Sequence, residues 1–553
     1  MPSVARPFSS AYLAGEAAAR GFLPLDFRSA GDRAASTRAA AARRVDGAVV
    51  SALRAQHARL PPSPARGEHL EALAGGGTAV VATGQQVGLF LGPLYGFYKA
   101  ASAVAVARAL AAETGVRCVP LFWLQTEDHD FAEIAGATIA GADGKPVRLA
   151  LADPLDGQGR VSIAHRALGP EVTGLLDGLG DLLGPSAAAA DTLALLRAHY
   201  VAGRPLAAAF AGVLAALFAD DGLLILDPRE PGIARAAAPV YAEALRAAPA
   251  IEARLAARGA AFAEAGLAEQ IPIRPDCALV FFHRDGAEGP RFRLQRRAGE
   301  AVGWTLSGCD ARVADAAVEE ALAREPLRFS TSALLRPVVQ DTLLPVAATV
   351  GGPAEVSYFA QLPPIYQHFG LPPPLVIPRA RFRCVDARTR RLLGELGLAP
   401  DDLARPEAEL VAALGSRARA GAAPAAATPE RLTGRVAREI VPAVEELTAA
   451  VAAADPADRN LVRAAARTRA AVGRALDRLT ARYARKLAVR DEVALARLAR
   501  LRDALAPGGI PQERAYAWPS LAGRIGPAAF KRLVTDRLAA AGPFSTALQE
   551  IEP

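Results

Sequence analysis

The sequence predicts an α/β fold in which a parallel sheet is covered by helices on both faces. Up to about residue 380, short apolar runs of strand length alternate with helical patterns. Each run ends in a turn signal or a polar cluster, and this alternation is typical of βαβ units. Beyond about residue 384, alanine, arginine and leucine dominate, which predicts a separate helical region.

The composition is that of a large globular protein. The chain has 553 residues, 52% of them hydrophobic, and a net charge of +7 that suits anionic small molecules as well as nucleic acid. Its cysteines, at positions 118, 277, 309 and 384, are too widely spaced for a CxxC metal site, so we expect free thiols. Neither a signal peptide nor a membrane-spanning run is visible, so we expect a cytoplasmic protein.

The first predicted βαβ unit carries polar groups at the ends of two strands. Residues 83–86 (Thr-Gly-Gln-Gln) follow the apolar run 78–82, and residues 127–130 (Glu-Asp-His-Asp) follow the run 119–124. Residues 94–113 between them predict the connecting helix. Ligands of open α/β sheets bind at the carboxyl edge of the strands. The sequence therefore predicts a small-molecule site at this edge.

The first cluster suits a polar or anionic ligand. The amides of Gln85 and Gln86 can hydrogen-bond a carboxylate, an amine or a ribose, and a helix N-terminus attracts anions. Thr83 and Gly84 complete the segment, and Lys99 lies one to two turns into the helix, within reach of a phosphate. The alternative is a capped turn with solvated amides and a surface lysine.

The second cluster combines three carboxylates with a histidine. In an extended backbone, Glu127 and His129 share one face while Asp128 and Asp130 share the other, so we expect no metal site. One carboxylate would orient His129, which then binds or moves a proton. The other acids would bind an amine or cap the next element, and the alternative is a solvated acidic loop.

A third polar region surrounds a predicted strand at residues 344–350. Two glycines follow this strand and a helix begins directly after them, which favours close backbone approach to an anion. Arginines before it and after the last predicted strand, 375–377, would clamp a carboxylate or phosphate. A tight structural turn is the alternative. The candidate residues here are Arg336, Gln340, Asp341, Gly351, Gly352, Glu355 and Arg379.

The rest of the chain divides by composition and pattern. The predicted divisions are 1–139 (N-terminal helices and the first half of the core), 140–215 (an insertion), 216–234 (a core strand), 235–335 (a second insertion), 336–383 (the second half of the core), 384–509 (a helical coiled coil) and 510–553 (a tail packed on the core). Within the second insertion, runs 278–283 and 291–294 predict a β-hairpin.

Leucines spaced by three, four or seven residues between Leu476 and Leu505 predict a long helix with a coiled-coil seam. Its partner is the predicted helix over 429–453, reached through a turn near 455–456. Arginines on the other faces are typical of a solvated surface. We therefore expect no nucleic-acid role for this helix.

Familiar catalytic motifs are absent from the sequence. It contains no P-loop, no GxGxxG after a strand, no GxSxG elbow, no HExxH and no paired CxxC. Common NTPase, dehydrogenase, hydrolase and zinc-protease functions are therefore disfavoured.

Several long segments resemble a known family. Residues 83–99, 122–130 and 335–355 resemble the bacillithiol-biosynthesis cysteine-adding enzymes (BshC), and the similarity continues through 358–379 and 512–514. This resemblance implies a Rossmann-like, doubly wound core similar to nucleotidylyltransferases and class I aminoacyl-tRNA synthetases. It also implies two insertions and a C-terminal coiled coil that forms a homodimer.

The resemblance implies a carbon–nitrogen ligase. Its reaction joins the carboxyl group of cysteine to the amine of glucosaminyl-malate in the last step of bacillithiol biosynthesis. Because a carboxylate needs activation, as an adenylate or acyl phosphate, we expect ATP or another nucleotide, with Mg²⁺ as its companion. The HIGH and KMSKS motifs of class I synthetases are absent. No membrane or nucleic-acid partner is expected.

The resemblance and the chemistry together assign roles. We expect His129, or the neighbouring Asp128 or Glu127, to act as the base, and Arg336 or Arg379 to hold the malate carboxylates. The residues expected to bind substrate or nucleotide are Thr83, Gly84, Gln85, Gln86, Lys99, Asp130, Arg336, Gln340, Asp341, Gly351, Gly352, Glu355 and Arg379. Two alternatives stay open: a nucleotide-binding transferase with a preactivated donor, and a non-catalytic coiled-coil scaffold of the thiol pathway.

Overall fold

The structure is a computed structural model that describes residues 5–141, 143–153, 160–296, 303–309, 311–417, 434–454, 458–488 and 492–553. Its strands are β1 (Arg6–Pro7), β2 (Thr78–Gln85), β3 (Arg117–Leu124), β4 (Gly136–Ala140), β5 (Pro146–Ala150), β6 (Leu224–Leu226), β7 (Leu267–Ala268), β8 (Cys277–His283), β9 (Arg291–Gln295), β10 (Trp304–Leu306), β11 (Arg312–Val313), β12 (Phe329–Thr331), β13 (Val346–Gly351), β14 (Val376–Pro378), β15 (Arg381–Cys384) and β16 (Leu548–Ile551).

Helices make up most of the remaining chain. The α-helices are α1 (Phe8–Ala14), α2 (Ala17–Arg20), α3 (Ala30–Ala41), α4 (Gly47–His57), α5 (Pro64–Gly75), α6 (Leu94–Thr114), α7 (Phe131–Ile134), α8 (Glu171–Leu183), α9 (Ala187–His199), α10 (Leu206–Leu217), α11 (Pro231–Arg246), α12 (Ala248–Glu264), α13 (Asp315–Arg324), α14 (Arg336–Leu343), α15 (Pro353–Phe359), α16 (Pro363–His368), α17 (Ala387–Leu396), α18 (Glu407–Arg417), α19 (Val441–Ala454), α20 (Arg459–Ala488), α21 (Glu492–Leu505), α22 (Gln512–Ala515), α23 (Pro519–Ile525) and α24 (Pro527–Ala541). Single 3₁₀ turns occur at Leu89–Leu91, Ile163–His165, Pro326–Arg328, Pro400–Ala404 and Pro507–Gly509, and a π-helical turn at Val436–Ile440.

A five-stranded parallel sheet forms the centre of the fold. Its order is β14-β13-β2-β3-β6, so the chain builds outward from β2 to β6 and then resumes on the other side of β2 with β13. This order confirms the predicted Rossmann-like core. The direction of winding reverses between β2 and β13, and the gap at their carboxyl ends is where doubly wound folds bind ligands.

Helix α6 connects β2 to β3, as the apolar pattern of residues 94–113 predicts. It ends at Gly115, whose φ of 70° gives a left-handed cap that most residues would not adopt without strain. Strand β2 is longer than predicted and includes Thr83, Gly84 and Gln85. The pairing of β2 with β3 continues through these residues. The Thr83 side chain is satisfied by β13, because its hydroxyl donates to the Val350 carbonyl at 2.9 Å.

A second, antiparallel sheet comes from the chain between β6 and β13. Its order is β11-β10-β9-β8-β12. The predicted hairpin is confirmed as β8 and β9, in which Phe281 lies opposite Arg293 and Phe282 opposite Phe292. Because side chains alternate along a strand, Arg291 and Arg293 project from the same face of β9.

The C-terminal part is helical. The predicted seam helix falls in α20 and α21, which the structure describes as separate segments, while its predicted partner corresponds to α19. The turn near 455–456 lies outside the described residues. The tail returns to the core, where β16 pairs in parallel with β15. In the described part of the chain, no helix is long and apolar enough to cross a membrane.

Candidate active site

Two adjoining cavities open at the carboxyl edge of the central sheet. The first, which we call the switch-point cleft, lies between the ends of β2 and β13 and has a volume of about 300 Å³. Its polar lining residues are Gln85, Gln86, Tyr95, Lys99, Gln125, Glu133, Arg336, Glu355, Tyr358, Arg379 and Arg514.

The second cavity, which we call the arginine pocket, has a volume of about 240 Å³ and extends toward the antiparallel sheet. Its polar lining residues are Gln125, Glu127, Asp128, His129, Glu252, Arg274, Arg291, Arg293, Thr331, Ser332 and Arg336. Gln125 and Arg336 line both cavities, so the two spaces share a wall.

Lys99 ties the ends of β2 and β13 together. Its ammonium group donates to the Gly84 carbonyl and to Gln85 Oε1, each at 2.8 Å, and lies 2.5 Å from Glu355 Oε2. The same Glu355 carboxylate accepts the backbone N–H of Gly352 at 2.8 Å. Burial lowers the pKa of Lys99, although Glu355 opposes that shift. Lys99 is therefore a buried cation, where a solvated surface lysine was the alternative.

Arg336, Gln340 and Asp341 form a buried network on α14. Arg336 donates to Gln340 Oε1 at 2.9 Å and to the Tyr358 hydroxyl at 3.2 Å, and Gln340 Nε2 donates to Asp341 Oδ1 at 2.9 Å. The Tyr366 hydroxyl donates to Asp341 Oδ2 at 2.7 Å. Burial raises the pKa of Asp341 to about 6. Only Arg336 of the three α14 residues reaches the cavities, and Gln340 and Asp341 lie behind it.

Arg379 lines the cleft but is held by the C-terminal tail. It makes a bidentate ion pair with Glu513, with N–O distances of 2.7 and 2.8 Å, and both side chains are buried. Charge-assisted forks of this kind are strong and geometrically specific. The pair anchors α22 against the core. Arg379 is therefore already paired with a carboxylate of the protein itself.

Asp128 joins the two polar clusters at residues 83–86 and 127–130. Gln86 Nε2 donates to Asp128 Oδ2 at 2.7 Å, although the two residues are 42 positions apart. The backbone N–H of His129 donates to Asp128 Oδ1 at 2.7 Å, and Arg291 lies 3.7 Å from the same oxygen. Burial opposes ionisation, but Arg291, the His129 N–H and the Gln86 amide outweigh it and lower the pKa of Asp128.

His129 faces the arginine pocket with an uncharged ring. Burial and the nearby Arg291 charge lower its pKa, and the smaller effect of Asp128 does not reverse the shift. Its Nδ1 lies 3.6 Å from Asp128 Oδ1 and is buried with no hydrogen-bond partner among the described residues. A neutral imidazole in a pocket has the protonation state that a general base requires.

The other two acids of the cluster are occupied elsewhere. Glu127 is buried, where it accepts hydrogen bonds from the hydroxyls of Thr331 and Tyr241, and burial raises its pKa. Asp130 is the N-cap of α7 and accepts the Glu133 N–H at 3.1 Å, which is the capping alternative. Glu127 lies in a turn and residues 128–130 have no regular secondary structure, so the alternating faces expected of an extended backbone do not apply.

Several predicted site residues lie beside the cleft as supports. Thr83 is fully buried and bonds to β13. A Cβ added at Gly84 would lie 2.9 Å from the Trp123 carbonyl oxygen, and one at Gly351 would lie 2.9 Å from the Glu355 Cβ. At Gly352, by contrast, an added Cβ would make ordinary van der Waals contact with Arg379 Nε and Glu355 Oε2, each 3.6 Å away.

Sequence reasoning missed the arginines of the hairpin. Arg291 donates to the carbonyls of Glu127 and Thr331, and thereby holds the turn that carries His129. The alternation of Arg291 and Arg293 about Phe292 was the available signal, because it places two cations on one face of a predicted strand. Gln125 was also missed, although it directly follows β3 at the carboxyl edge.

The donor set of the cleft fits a phosphate-bearing ligand. Lys99, Arg336, Arg379 and Arg514 outnumber the lining carboxylates Glu133 and Glu355. Lys99 and Arg379 already pair with Glu355 and Glu513, so Arg336 and Arg514 are the remaining cations that line the cleft. Among the described residues, no group of three or more His, Cys, Asp or Glu side chains could hold a metal ion. A divalent cation would therefore depend on the ligand for part of its coordination.

Comparisons with known proteins agree with this architecture. Residues 3–380 match the family model for the N-terminal Rossmann-like domain of BshC in bacillithiol biosynthesis. Residues 427–546 match the model for its C-terminal coiled-coil domain.

Individual relatives show the same similarity. A protein of Solibacter usitatus is 33% identical over 480 residues, covering 85% of this chain and 83% of the relative. One of Symbiobacterium thermophilum is 31% identical over 506 residues (88% and 87%), and one of Salinibacter ruber is 34% identical over 382 residues (69% and 68%). Each carries the name "Putative cysteine ligase BshC". The Rossmann-like core, the coiled coil and these matches together place the chain in the BshC family of bacillithiol biosynthesis.

Proposed function

We propose that this protein is a cysteine ligase that joins the carboxyl group of cysteine to the amine of glucosaminyl-malate and so completes bacillithiol. Family membership and the name shared by the relatives support this assignment. The observation that carries it is the position of His129, an uncharged base in a pocket that shares a wall with a cation-lined cleft.

His129 accepts the proton that the acceptor amine must lose. An ammonium group has no lone pair with which to attack a carbonyl carbon, so the amine needs a base at or before the attack. Asp128 lies 3.6 Å from Nδ1 and stabilises the imidazolium that then forms. Gln86 and Arg291 hold Asp128 in place and ionised.

The switch-point cleft suits the nucleotide that would activate the cysteine carboxyl group. A nucleoside triphosphate, ATP in the simplest case and with Mg²⁺ as its companion, would supply the leaving group that the cysteine carboxyl lacks. Lys99, Arg336 and Arg514 line the space in which its phosphates would be held. Cations fixed before the reaction stabilise developing negative charge with little reorganisation.

The protein works as a cytoplasmic homodimer in this proposal. The coiled-coil domain supplies the dimer contact, and the side chains of Leu447 on α19 and Leu479 on α20 support it, because each is 65% exposed in the single chain. Free thiols at all four cysteines fit a reducing compartment. The proposal includes no nucleic-acid or membrane partner.

Mass spectrometry of the purified protein with glucosaminyl-malate and cysteine, with and without ATP, tests the ligase activity. ATP-dependent formation of bacillithiol supports it, and release of AMP or ADP identifies the activation chemistry. Product without ATP would instead indicate a transferase with a preactivated donor. No product under either condition, with both substrates shown to bind, would favour the scaffold alternative.

A further inference from the structure

The four arginines that line the arginine pocket differ in what they already bind. Arg291 is committed to two backbone carbonyls and lies next to Asp128, and Arg336 is committed to Gln340 and Tyr358. Arg274 and Arg293 have neither a side-chain hydrogen bond nor a carboxylate within 4.0 Å among the described residues. These two guanidinium groups are therefore available to a ligand.

The two available cations line the same pocket, near enough for the charge of Arg274 to act on Arg293. Burial lowers the pKa of Arg293, the neighbouring Cys277 opposes this, and the charge of Arg274 lowers it further. Arg293 lies over the Phe281 ring, 4.7 Å from its centroid, which holds its guanidinium group in the pocket. Like charges held together without a counter-ion favour a ligand that brings two negative charges.

Among the described residues, no carboxylate of the pocket forms an ion pair with Arg274 or Arg293. Glu252 also lines the pocket, and its Oε2 accepts the Asp276 N–H at 3.0 Å. Apolar side chains also line the pocket, among them Ile251, Leu255 and Ile273. A small ligand with an anionic end and a less polar body therefore matches the pocket.

We propose that Arg274 and Arg293 bind the two carboxylates of the malate group of the acceptor. This inference rests on the proposed function and revises the expectation that Arg336 or Arg379 holds malate, because Arg379 is satisfied by Glu513 and Arg336 by Gln340 and Tyr358. Guanidinium groups bind carboxylates through paired hydrogen bonds, and a dicarboxylate can engage both arginines at once.

The assignment orients the acceptor. His129 lines the same pocket, so a malate group at Arg274 and Arg293 keeps the acceptor in the pocket that holds the base. The shared wall at Gln125 and Arg336 then separates the acceptor from the switch-point cleft, which remains for the activated donor. Arg274 and Arg293 thus determine acceptor specificity and take no part in proton transfer.

Isothermal titration of glucosaminyl-malate into the full-length protein, without ATP or cysteine, tests the inference. We expect Arg293→Gln and Arg274→Gln each to weaken binding about tenfold, and the double variant to weaken it more than either. The same variants should abolish the preference for L-malate over its monomethyl ester as competitors. Arg324→Gln, on an exposed helix outside both cavities, serves as the matched control.

Arg274 is exposed, so its replacement leaves the fold intact, and thermal unfolding of each variant checks this. Unchanged binding by the double variant overturns the inference, as does no binding by the wild-type protein. A larger loss from Arg514→Gln than from the double variant overturns it by placing malate in the switch-point cleft. If the wild-type protein forms no product, and the variants nevertheless bind glucosaminyl-malate more weakly than wild type, the result supports the acceptor site and refutes the ligase.

Discussion

His129 and Glu127 are two residues apart, yet the fold gives them opposite surroundings. Glu127 is buried under Thr331 and Tyr241, and burial raises its pKa. His129 is 35% exposed in its side chain and faces the arginine pocket with an uncharged ring. His129 therefore has both access to a ligand and the protonation state of a base, whereas Glu127 has neither. Asp128 also lines the pocket in its ionised form, but Gln86, the His129 N–H and Arg291 already engage its carboxylate.

Replacement of His129 tests that role. We expect His129→Ala to lower kcat by about 10²- to 10⁴-fold with little change in thermal stability. In the wild-type protein, kcat/KM should stay level as the pH falls to 6.5 and decline only at lower pH, because the folded-state pKa of His129 lies below its ordinary value of 6.5. Steady-state kinetics across the pH range measures both effects.

His368→Gln is the control for that experiment, because His368 pairs with Glu243 outside both cavities. Wild-type turnover by His129→Ala would contradict the assignment of the base.

Asp341 gives a prediction about stability and pH. Burial raises its folded-state pKa from 3.8 to about 6, so the folded protein holds this proton more tightly than the unfolded chain. The contribution of Asp341 to the free energy of unfolding is therefore greatest below pH 3.8 and is lost as the pH rises through about 6. Across this window the change should be on the order of 3 kcal/mol.

Urea unfolding at pH 4 and pH 7 measures this change in the free energy of unfolding. Asp341→Asn is the reference, because it lacks the titrating group. Relative to Asp341→Asn, the wild-type protein should have a lower free energy of unfolding at pH 7 than at pH 4. A difference that does not vary with pH would show that Asp341 does not titrate in this range.

At the scale of elements, the site depends on how closely β2 and β3 approach. Gly84 permits that approach, because a side chain there would meet the Trp123 carbonyl. The strand ends then bring Gln85 and Gln86 beside the turn after β3. The Lys99 ammonium group of α6 donates to Gln85 Oε1 and so fixes the position of Gln85. Neighbouring parallel strands thus determine which polar side chains meet.

Gly84→Ala should therefore damage both stability and function. Its Cβ would lie 2.9 Å from the Trp123 oxygen, and overpacking of this kind costs about 1–3 kcal/mol. Chemical unfolding measures the loss, and ligand titration should show weaker binding as β2 moves. Gly67→Ala in α5, where no atom lies within 4 Å of the added Cβ, should raise stability by about 0.5–1 kcal/mol.

Equal stabilities of the two alanine variants would show that the β2–β3 contact can relax around a methyl group.

At the scale of the whole molecule, the coiled-coil domain leaves apolar side chains on its surface. Leu447 and Leu479 are each 65% exposed, whereas the leucines of α21 that face α17 are buried. Large exposed leucines on adjacent helices are typical of an association surface. The proposed homodimer would cover this surface.

The double substitution Leu447→Glu and Leu479→Glu should convert a dimer into a monomer of 57.3 kDa, because it places charges in the contact. Sedimentation equilibrium measures the mass. Val201→Glu, at a residue 45% exposed outside the coiled coil, is the matched control and should leave the mass of the dimer unchanged. A variant that still sediments as a dimer would place the contact elsewhere.

Most of the fold could be predicted because its signals are local. The lengths of the apolar runs, the turn residues after them and the helical pattern of residues 94–113 depend on neighbours within a few positions. The predicted run ends at residue 82, before the polar end of β2, because nothing nearby in sequence satisfies Thr83; its partner, the Val350 carbonyl, is 267 positions away.

The sequence by itself determined the α/β class, the coiled-coil region and the carboxyl edge as the place to look for a site. Only the tertiary structure decided which charges are available there. Arg379 and Arg293 look alike in sequence, yet Glu513 from the tail satisfies the first, while the second has no carboxylate within 4.0 Å among the described residues. The physical reason is that pairing depends on distances between segments remote in the chain, which local patterns do not contain.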